Sequence, residues 1–246
     1  MQLTVRDVTR LLNVSEKTVY RWISQGTLPA YRINEQYRFN RAELLEWATA
    51  RKINVSPEIM QEPEGDAAAA PRLVEGLQAG GIHYRVGGTD APSVLRAIVD
   101  LMRLPDEVDR EFLFRVLLAR EELGSTAVGD GIAIPHARNP IVLHVTKPSV
   151  TLCFLERPIE FGALDGRPVH ALFSLVSSTS RAHLHLLSRL AFALNDPGFK
   201  SAVTRQASRD EILGEATRVE SGLKEPQTPK VAPGARDSSR GGEERR

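Results

Sequence analysis

Apolar residues recur at helical spacing close to the N-terminus. Val5, Val8, Leu11 and Leu12 fall on one face, Thr4 is placed to cap that helix, and Asn13 breaks it. Ser15 can cap a second helix that runs to about Gln25, with Val19, Trp22 and Ile23 on its inner face and Gly26 closing it. Two helices joined by a short turn that carries an apolar Val14 predict a helix-turn-helix. Residues 28–33 and 37–39, on either side of a polar turn at 34–36, predict a small hairpin or wing. Asn40 caps a further helix holding Leu44, Leu45 and Trp47.

From residue 72 onward the period alternates between helix and strand. Leu73, Val74 and Leu77 mark a helix over 72–80, and residues 82–86 alternate like a strand before the Gly87-Gly88 turn. Val94, Leu95, Ile98, Val99 and Met102 mark the next helix. Another runs from about Asp106 through Phe112, Val116, Leu117 and Leu123 to a stop at Gly124. Gly129 and Gly131 bracket a tight turn, where positive φ costs glycine little. Residues 132–134 then form a short buried strand that Pro135 ends, since proline cannot donate to a ladder. Residues 148–155 and 168–176 predict buried strands, with a short extended piece at 158–161 between them. A helix from Ala182 to Leu194 stops at Asp196-Pro197-Gly198, and a last one starts near Ser208 with Ile212 and Leu213. Strands alternating with helices predict an α/β fold. The resulting division is a small, mainly helical domain at 1–54, a linker at 55–71, an α/β domain at 72–218 and a disordered tail at 219–246.

Charge separates the parts. Residues 1–54 carry 9 Lys/Arg and 5 Asp/Glu, residues 72–218 lie in an acidic stretch, and the whole chain nets +1. A basic first domain attached to an acidic second one points to nucleic acid as a partner of the first alone. The single cysteine, Cys153, excludes an internal disulfide and fits a reducing compartment. No apolar run approaches the ~20 residues of a membrane span, so a cytoplasmic protein with no membrane insertion is expected. No spacing of histidine, cysteine and carboxylate suits a metal, and no cofactor is implied.

The candidate chemistry centres on His136. It leaves the 132–134 strand in a fixed direction, with Arg138 just behind it. Two readings of that placement stay open on local grounds: a group presented to another macromolecule, or a partly buried histidine on a strand edge. A phosphohistidine would need a neutral, exposed acceptor nitrogen, a partner fixing the other ring nitrogen, and donors or positive charge for the phosphoryl oxygens. Ser125 and Thr126 offer hydroxyls, Arg138 offers charge, and the glycine-rich turn offers backbone N–H groups. His83, His144 and His170 sit in strand-like runs and are expected to be structural.

The run R-E-x-x-G-S-T-x-x-G-x-G-I-A-I-P-H, residues 120–136, resembles the phosphorylation-site signature of the type-2 IIA domains of the bacterial phosphotransferase system. These include the fructose/mannitol and nitrogen-regulatory IIA proteins. The resemblance extends over roughly residues 72–218 and implies a mixed sheet flanked by helices. It makes His136 the phosphoryl acceptor and Arg120 the charge clamp. A second histidine, in the family's H-L-x-x-L pattern, maps to His183, with His185 as its alternate. Residues two apart on a helix cannot both face the pocket. The chain departs from the pattern at Ala127, Asp130 and Ala137, and a carboxylate at 130 would oppose an incoming phosphoryl group by like-charge repulsion.

The run L-T-V-x-D-V-x-x-L-L-N-V-S-E-K-T-V-Y-R-W closely resembles the excisionase/MerR-like winged helix-turn-helix family over residues 2–49. That implies double-stranded DNA as a partner. Ser15, Lys17, Thr18, Tyr20 and Arg21 become candidates to face the duplex, with Arg32 and Arg38 reaching phosphates from the wing. Together the two resemblances imply a regulator, a phosphoryl carrier rather than a multiple-turnover enzyme. Its donor would be an HPr-like phosphocarrier, and its phosphorylation would alter DNA or partner binding. The rivals are a plain relay component passing phosphate to a separate IIB, and a transcription factor whose IIA-like domain only docks target proteins or forms a homo-oligomer. Added negative charge near His136 is expected to tighten the acidic domain's hold on the basic one and to mask it from DNA.

Overall fold

The computed structural model describes residues 2–33, 36–51, 53, 55–56, 71–137, 145, 147–177 and 179–223. The linker at 57–70, the tail from 224, Arg138 and His144 lie outside the described residues.

The first unit is built from β1 (Gln2–Leu3), α1 (Val5–Leu12), α2 (Glu16–Ser24), β2 (Tyr31–Ile33), β3 (Gln36–Asn40) and α3 (Arg41–Ala50). Local chemistry sets each boundary. The Thr4 hydroxyl accepts from the Asp7 N–H at 3.2 Å while the Asp7 carboxylate takes the Thr4 N–H at 2.9 Å, a capping box that starts α1. Asn13 ends it with φ 51°, a left-handed turn that asparagine tolerates. The Ser15 hydroxyl takes the Thr18 N–H and starts α2. The strands form an antiparallel sheet in the order β1-β3-β2. The Asn40 side chain accepts from the Glu43 N–H at 3.4 Å, close to the limit of such a bond, at the start of α3. Val8, Leu11, Val19, Phe39 and Leu44 close the core. Ser56 still belongs to this unit, since its N–H donates to the Leu11 carbonyl at 2.6 Å.

The second unit comprises α4 (Leu73–Gly80), β4 (Ile82–Val86), α5 (Ala91–Leu101), α6 (Arg110–Glu122), β5 (Ala127–Gly129), β6 (Ile132–Ala133), β7 (Ser149–Ile159), β8 (Val169–Val176), α7 (Ser180–Asn195), α8 (Pro197–Thr204) and α9 (Arg209–Ser221). Its five-stranded sheet has the order β4-β7-β8-β6-β5 and is mixed. β4 runs parallel to β7 and β6 parallel to β8, while β7 with β8 and β5 with β6 are antiparallel. Both faces are covered, so the central strands read as continuous apolar runs. Val150, Leu152 and Phe154 of β7 join a cluster with Leu77 of α4 and Leu186 and Leu190 of α7. Cys153 and Leu155, pointing the other way, join one with Val94 and Ile98 of α5 and Leu113 of α6. Each such fully buried leucine or phenylalanine contributes about 1.5–3 kcal/mol relative to exposure.

Three features differ from the sequence expectation. β7 continues to Ile159 through Pro158, with its register shift falling between Phe154 and Ile159, where a missing N–H can be absorbed. Pro197 opens α8 rather than only ending α7, because the Asp196 carboxylate caps it from the Phe199 N–H at 3.0 Å. The region expected to be tail begins as the last turn of α9, held by Glu220. The two units are also in contact, with α3 packed on α7 and β5 of the α/β domain.

Candidate functional site

His136 lies just past β6 and bridges Leu175 of β8 in parallel register. Its placement follows from the β5–β6 hairpin. Ala127 pairs with Ala133, and the Ile134 N–H donates to the Thr126 carbonyl at 3.0 Å. The open end of the hairpin therefore brings Ser125 and Thr126 alongside the residues leading to His136. The glycine-bracketed tip at 129–131 points the other way. Pro135 ends hydrogen bonding on its nitrogen side, while its carbonyl takes the Leu175 N–H at 3.2 Å. The ring is then fixed: His136 Nδ1 donates to the Ile134 carbonyl at 2.7 Å, leaving Nε2 as the outward-facing atom.

That atom meets a residue of the other unit. Nε2 stands 2.6 Å from Oε1 of Glu46, which is delivered by α3. The second carboxylate oxygen of Glu46 accepts from the Arg120 guanidinium. Burial alone pushes the Glu46 carboxyl up, but the hydrogen bonds and charges of His136 and Arg120 outweigh it and hold the group down at about 2. With Nδ1 committed to a carbonyl, the Nε2–Glu46 contact is charge-assisted only when the ring carries both protons. Beneath Glu46, His136 is only 2% exposed, not the exposed group that the sequence suggested.

Arg120 sits in the last turn of α6. Besides Glu46, it donates to the Gly124 carbonyl at 2.9 Å, and its buried Nε has no hydrogen-bond partner among the described residues. His183, in the first turn of α7, lies with its ring centroid 5.2 Å from that of His136. Burial first, and then the neighbouring His136, lower the His183 imidazole to about 3, so it stays neutral near pH 7. Its Nδ1 is buried without a hydrogen-bond partner among the described residues. His185 points elsewhere and accepts from Arg189 Nε at 2.9 Å, as expected two residues along a helix.

Three sequence expectations change. The Ser125 and Thr126 hydroxyls lie beside the site, but their protons are used inside the fold. Ser125 donates to the Phe161 carbonyl, and Thr126 donates to the Glu121 carboxylate at 2.6 Å. Backbone N–H groups here are also committed: Thr126 to Glu121, Ala127 to the Ser125 hydroxyl and Asp130 to Asp165. Asp130 is no obstacle at His136. It occupies the far tip of the hairpin at φ 54°, with its carboxylate paired to Arg167 at 3.2 Å and to Lys200. Gly131 beside it is required, because a Cβ at its φ of 74° would come within 2.5 Å of the His170 ring. Cys153 is a core residue whose thiol burial pushes up to about 12. Among the described residues, no group of histidine, cysteine and carboxylate side chains could hold a metal.

On the first unit, Lys17, Tyr20 and Arg21 are exposed on α2, and Arg32 is exposed on β2. Ser15 and Thr18 share a hydroxyl–hydroxyl bond of 3.0 Å that belongs to the helix cap. Tyr20 packs edge-on to Tyr37 of the wing at 6.1 Å. Arg38 is tied within the wing, to Gln36 at 2.6 Å and to the Tyr37 carbonyl at 3.1 Å. Two site residues escaped sequence reasoning. Glu121 is marked only by its place beside Arg120. Glu46 carries no local signal, since its role arises from a contact 90 residues away.

The fold and the site define a two-module protein, a helix-turn-helix unit seated on an α/β domain of the IIA kind. The family profile described as "Phosphoenolpyruvate-dependent sugar phosphotransferase system, EIIA 2" matches residues 77–215, more than half of the chain, and the chain belongs to that family. A helix-turn-helix domain profile matches residues 3–52. The chain is 39% identical over 128 residues to a nitrogen regulatory protein of Pseudomonas aeruginosa, covering 50% of this chain and 80% of that one. A nitrogen regulatory protein of Bradyrhizobium diazoefficiens is 41% identical over 100 residues, covering 40% of this chain and 62% of the relative. Among solved structures, the nitrogen regulatory protein IIA-Ntr of Neisseria meningitidis superposes with a TM-score of 0.49 at 26% identity, over 55% of this chain and 92% of that one. Among the described residues, no helix is long and apolar enough to cross a membrane.

Proposed function

We propose that this protein is a phosphotransferase-linked regulator in which His136 accepts a phosphoryl group and the helix-turn-helix unit binds DNA. The observation that carries the first half is the pair of bonds on His136. Nδ1 is tied to the Ile134 carbonyl, and Nε2 faces an anion shared with Arg120. A ring held in that tautomer keeps a lone pair on Nε2, provided Glu46 moves away. The donor is a phosphohistidine of an HPr-like carrier. As its N–P bond breaks, an Nε2–P bond forms on His136, and the freed donor imidazole takes a proton from water. Arg120 stabilises the equatorial oxygens, which is most of what such a transfer asks of a protein. His183 is a neutral neighbour that adds no opposing charge.

Exposed Lys17, Tyr20 and Arg21 on α2 support the second half. Incubation with the phosphocarriers and phosphoenolpyruvate tests the acceptor. His136→Ala abolishes acid-labile, base-stable labelling, and undiminished labelling of that variant rejects the assignment. A second reading, a IIA-like fold used only for docking, draws support from the burial of His136 under α3. It expects no labelling of the intact chain at all.

A further inference from the structure

We infer that Glu46 is an internal stand-in for the phosphoryl group, so that docking of the helix-turn-helix unit and phosphorylation of His136 exclude each other. This rests on the reading of His136 as the acceptor. Glu46 places one oxygen on the nucleophilic Nε2 and the other on the Arg120 guanidinium. A phosphoryl group on Nε2 would have its oxygens in that same space, held by that same arginine. Two anions cannot share it: steric overlap and like-charge repulsion act together. The contact also closes the site to any donor, because the carboxylate and the helix behind it leave His136 almost wholly covered.

The carboxylate is well placed to act as a latch. Its side chain is 13% exposed and that of Arg120 is 12% exposed, so water screens the pair little. It comes from α3, and its neighbours Leu45 and Thr49 line a cleft against Val128, Ile132 and Phe192 of the α/β domain. The same helix therefore carries both the polar contact to the site and the apolar contacts that seat it on the α/β domain. The direction is opposite to charge attraction between an acidic and a basic domain: phosphorylation frees the helix-turn-helix unit instead of tightening it. In the latched form, Lys17, Tyr20 and Arg21 already face solvent. The switch thus changes how the DNA-reading unit is held, not whether its reading face is covered. By linkage, whatever pulls the helix-turn-helix unit away also favours the phosphorylated form, and it uncovers Nε2 for the donor.

The test uses the full chain with spin labels at Lys17→Cys and Gln78→Cys, both exposed sites, with Cys153 too buried to compete. Distances are measured before and after phosphorylation by an HPr-like donor, alongside uptake rates for wild type, Glu46→Ala and Glu46→Leu. The unphosphorylated wild type should give one narrow distance, which phosphorylation or loss of the carboxylate broadens and lengthens. Both variants should take up the phosphoryl group about tenfold or more faster, as when a competent state is no longer a minor one. Should Glu46→Ala misfold, Glu46→Leu decides, since it fills similar space but offers no donor to Nε2 and no acceptor to Arg120. Labelling at His136 with an unchanged distance, or with no gain in rate in the variants, overturns the latch alone. No labelling in any of the three proteins overturns the acceptor reading, and the latch with it.

Discussion

Glu220, near the end of α9, accepts the backbone N–H of Leu73 at 2.6 Å across 147 residues of chain. The same carboxylate takes the Val74 N–H at 3.2 Å and pairs with Arg189 at 2.8 Å. A buried anion thus caps the start of α4 and ties it to α7, the helix that carries His183. Removing it strands a buried arginine and two N–H groups. Glu220→Ala should lower unfolding free energy by about 3–5 kcal/mol, read from the denaturant midpoint, and Glu220→Gln should cost less. A change under about 1 kcal/mol would mean that water replaces the carboxylate.

The proposed mechanism gives Arg120 two roles, and they must be separated. In a Glu46→Ala background, where the latch is gone, Arg120→Ala should slow phosphoryl uptake tens- to hundred-fold, about 2–3 kcal/mol of lost transition-state contact. His185→Ala in the same background should leave the rate within a few-fold, since its ring is turned to Arg189. Similar losses from both would place the charge clamp elsewhere.

Acid should open the latch. Glu46 is held at about 2 in the docked state, against an ordinary value of 4.5. A depressed carboxyl stabilises docking fully above its free value and loses that contribution as pH falls from 4.5 towards 2. The groups facing it are Arg120, His136 and His183; Arg120 is always charged, and His183 gains a proton only near 3. The label distance should therefore broaden over pH 4.5 to 2 in wild type. Glu46→Leu, which has no hydrogen-bonding group and no charge, should already be broad at pH 7 and indifferent across that window.

DNA binding should sort the basic residues by their freedom. Lys17→Ala and Arg21→Ala should each weaken binding and reduce the salt slope by about one. Arg38→Ala should do less, because its guanidinium is occupied within the wing. Titration of each variant against one duplex at several salt concentrations ranks them, and a larger loss for Arg38 would mean that the wing rearranges on DNA.

Helix starts were legible where the cap itself was read, because capping is local; α6 and α7, expected from about Asp106 and Ala182, start at Arg110 and Ser180 behind the caps Asp109 and Thr179. Thr4, Ser15 and the residues near Ser208 announce themselves by type and spacing. The long apolar strands were legible because a strand buried on both faces needs no polar partner. β5 was not, for three residues next to two glycines give no period to read. Pro197 read as a stop because proline ends one helix as readily as it begins another, and only the Asp196 cap distinguishes them. At the site, His136, Arg120 and His183 could be placed through a resemblance over one segment and one helix. Glu46 could not, because its neighbours in sequence serve the core of a different unit, and its contact depends on how two folded units meet.

Helical delivery gives Glu46 a phase. One residue inserted in α3 between Asn40 and Glu46 would rotate the carboxylate by about 100° and shift it by about 1.5 Å along the axis. The apolar neighbours that seat α3 would turn with it. The reading frame of that helix, more than the chemistry of any one side chain, therefore keeps the two halves of the molecule in conversation. The number of residues from cap to carboxylate therefore fixes the contact more directly than the helix's surface composition does.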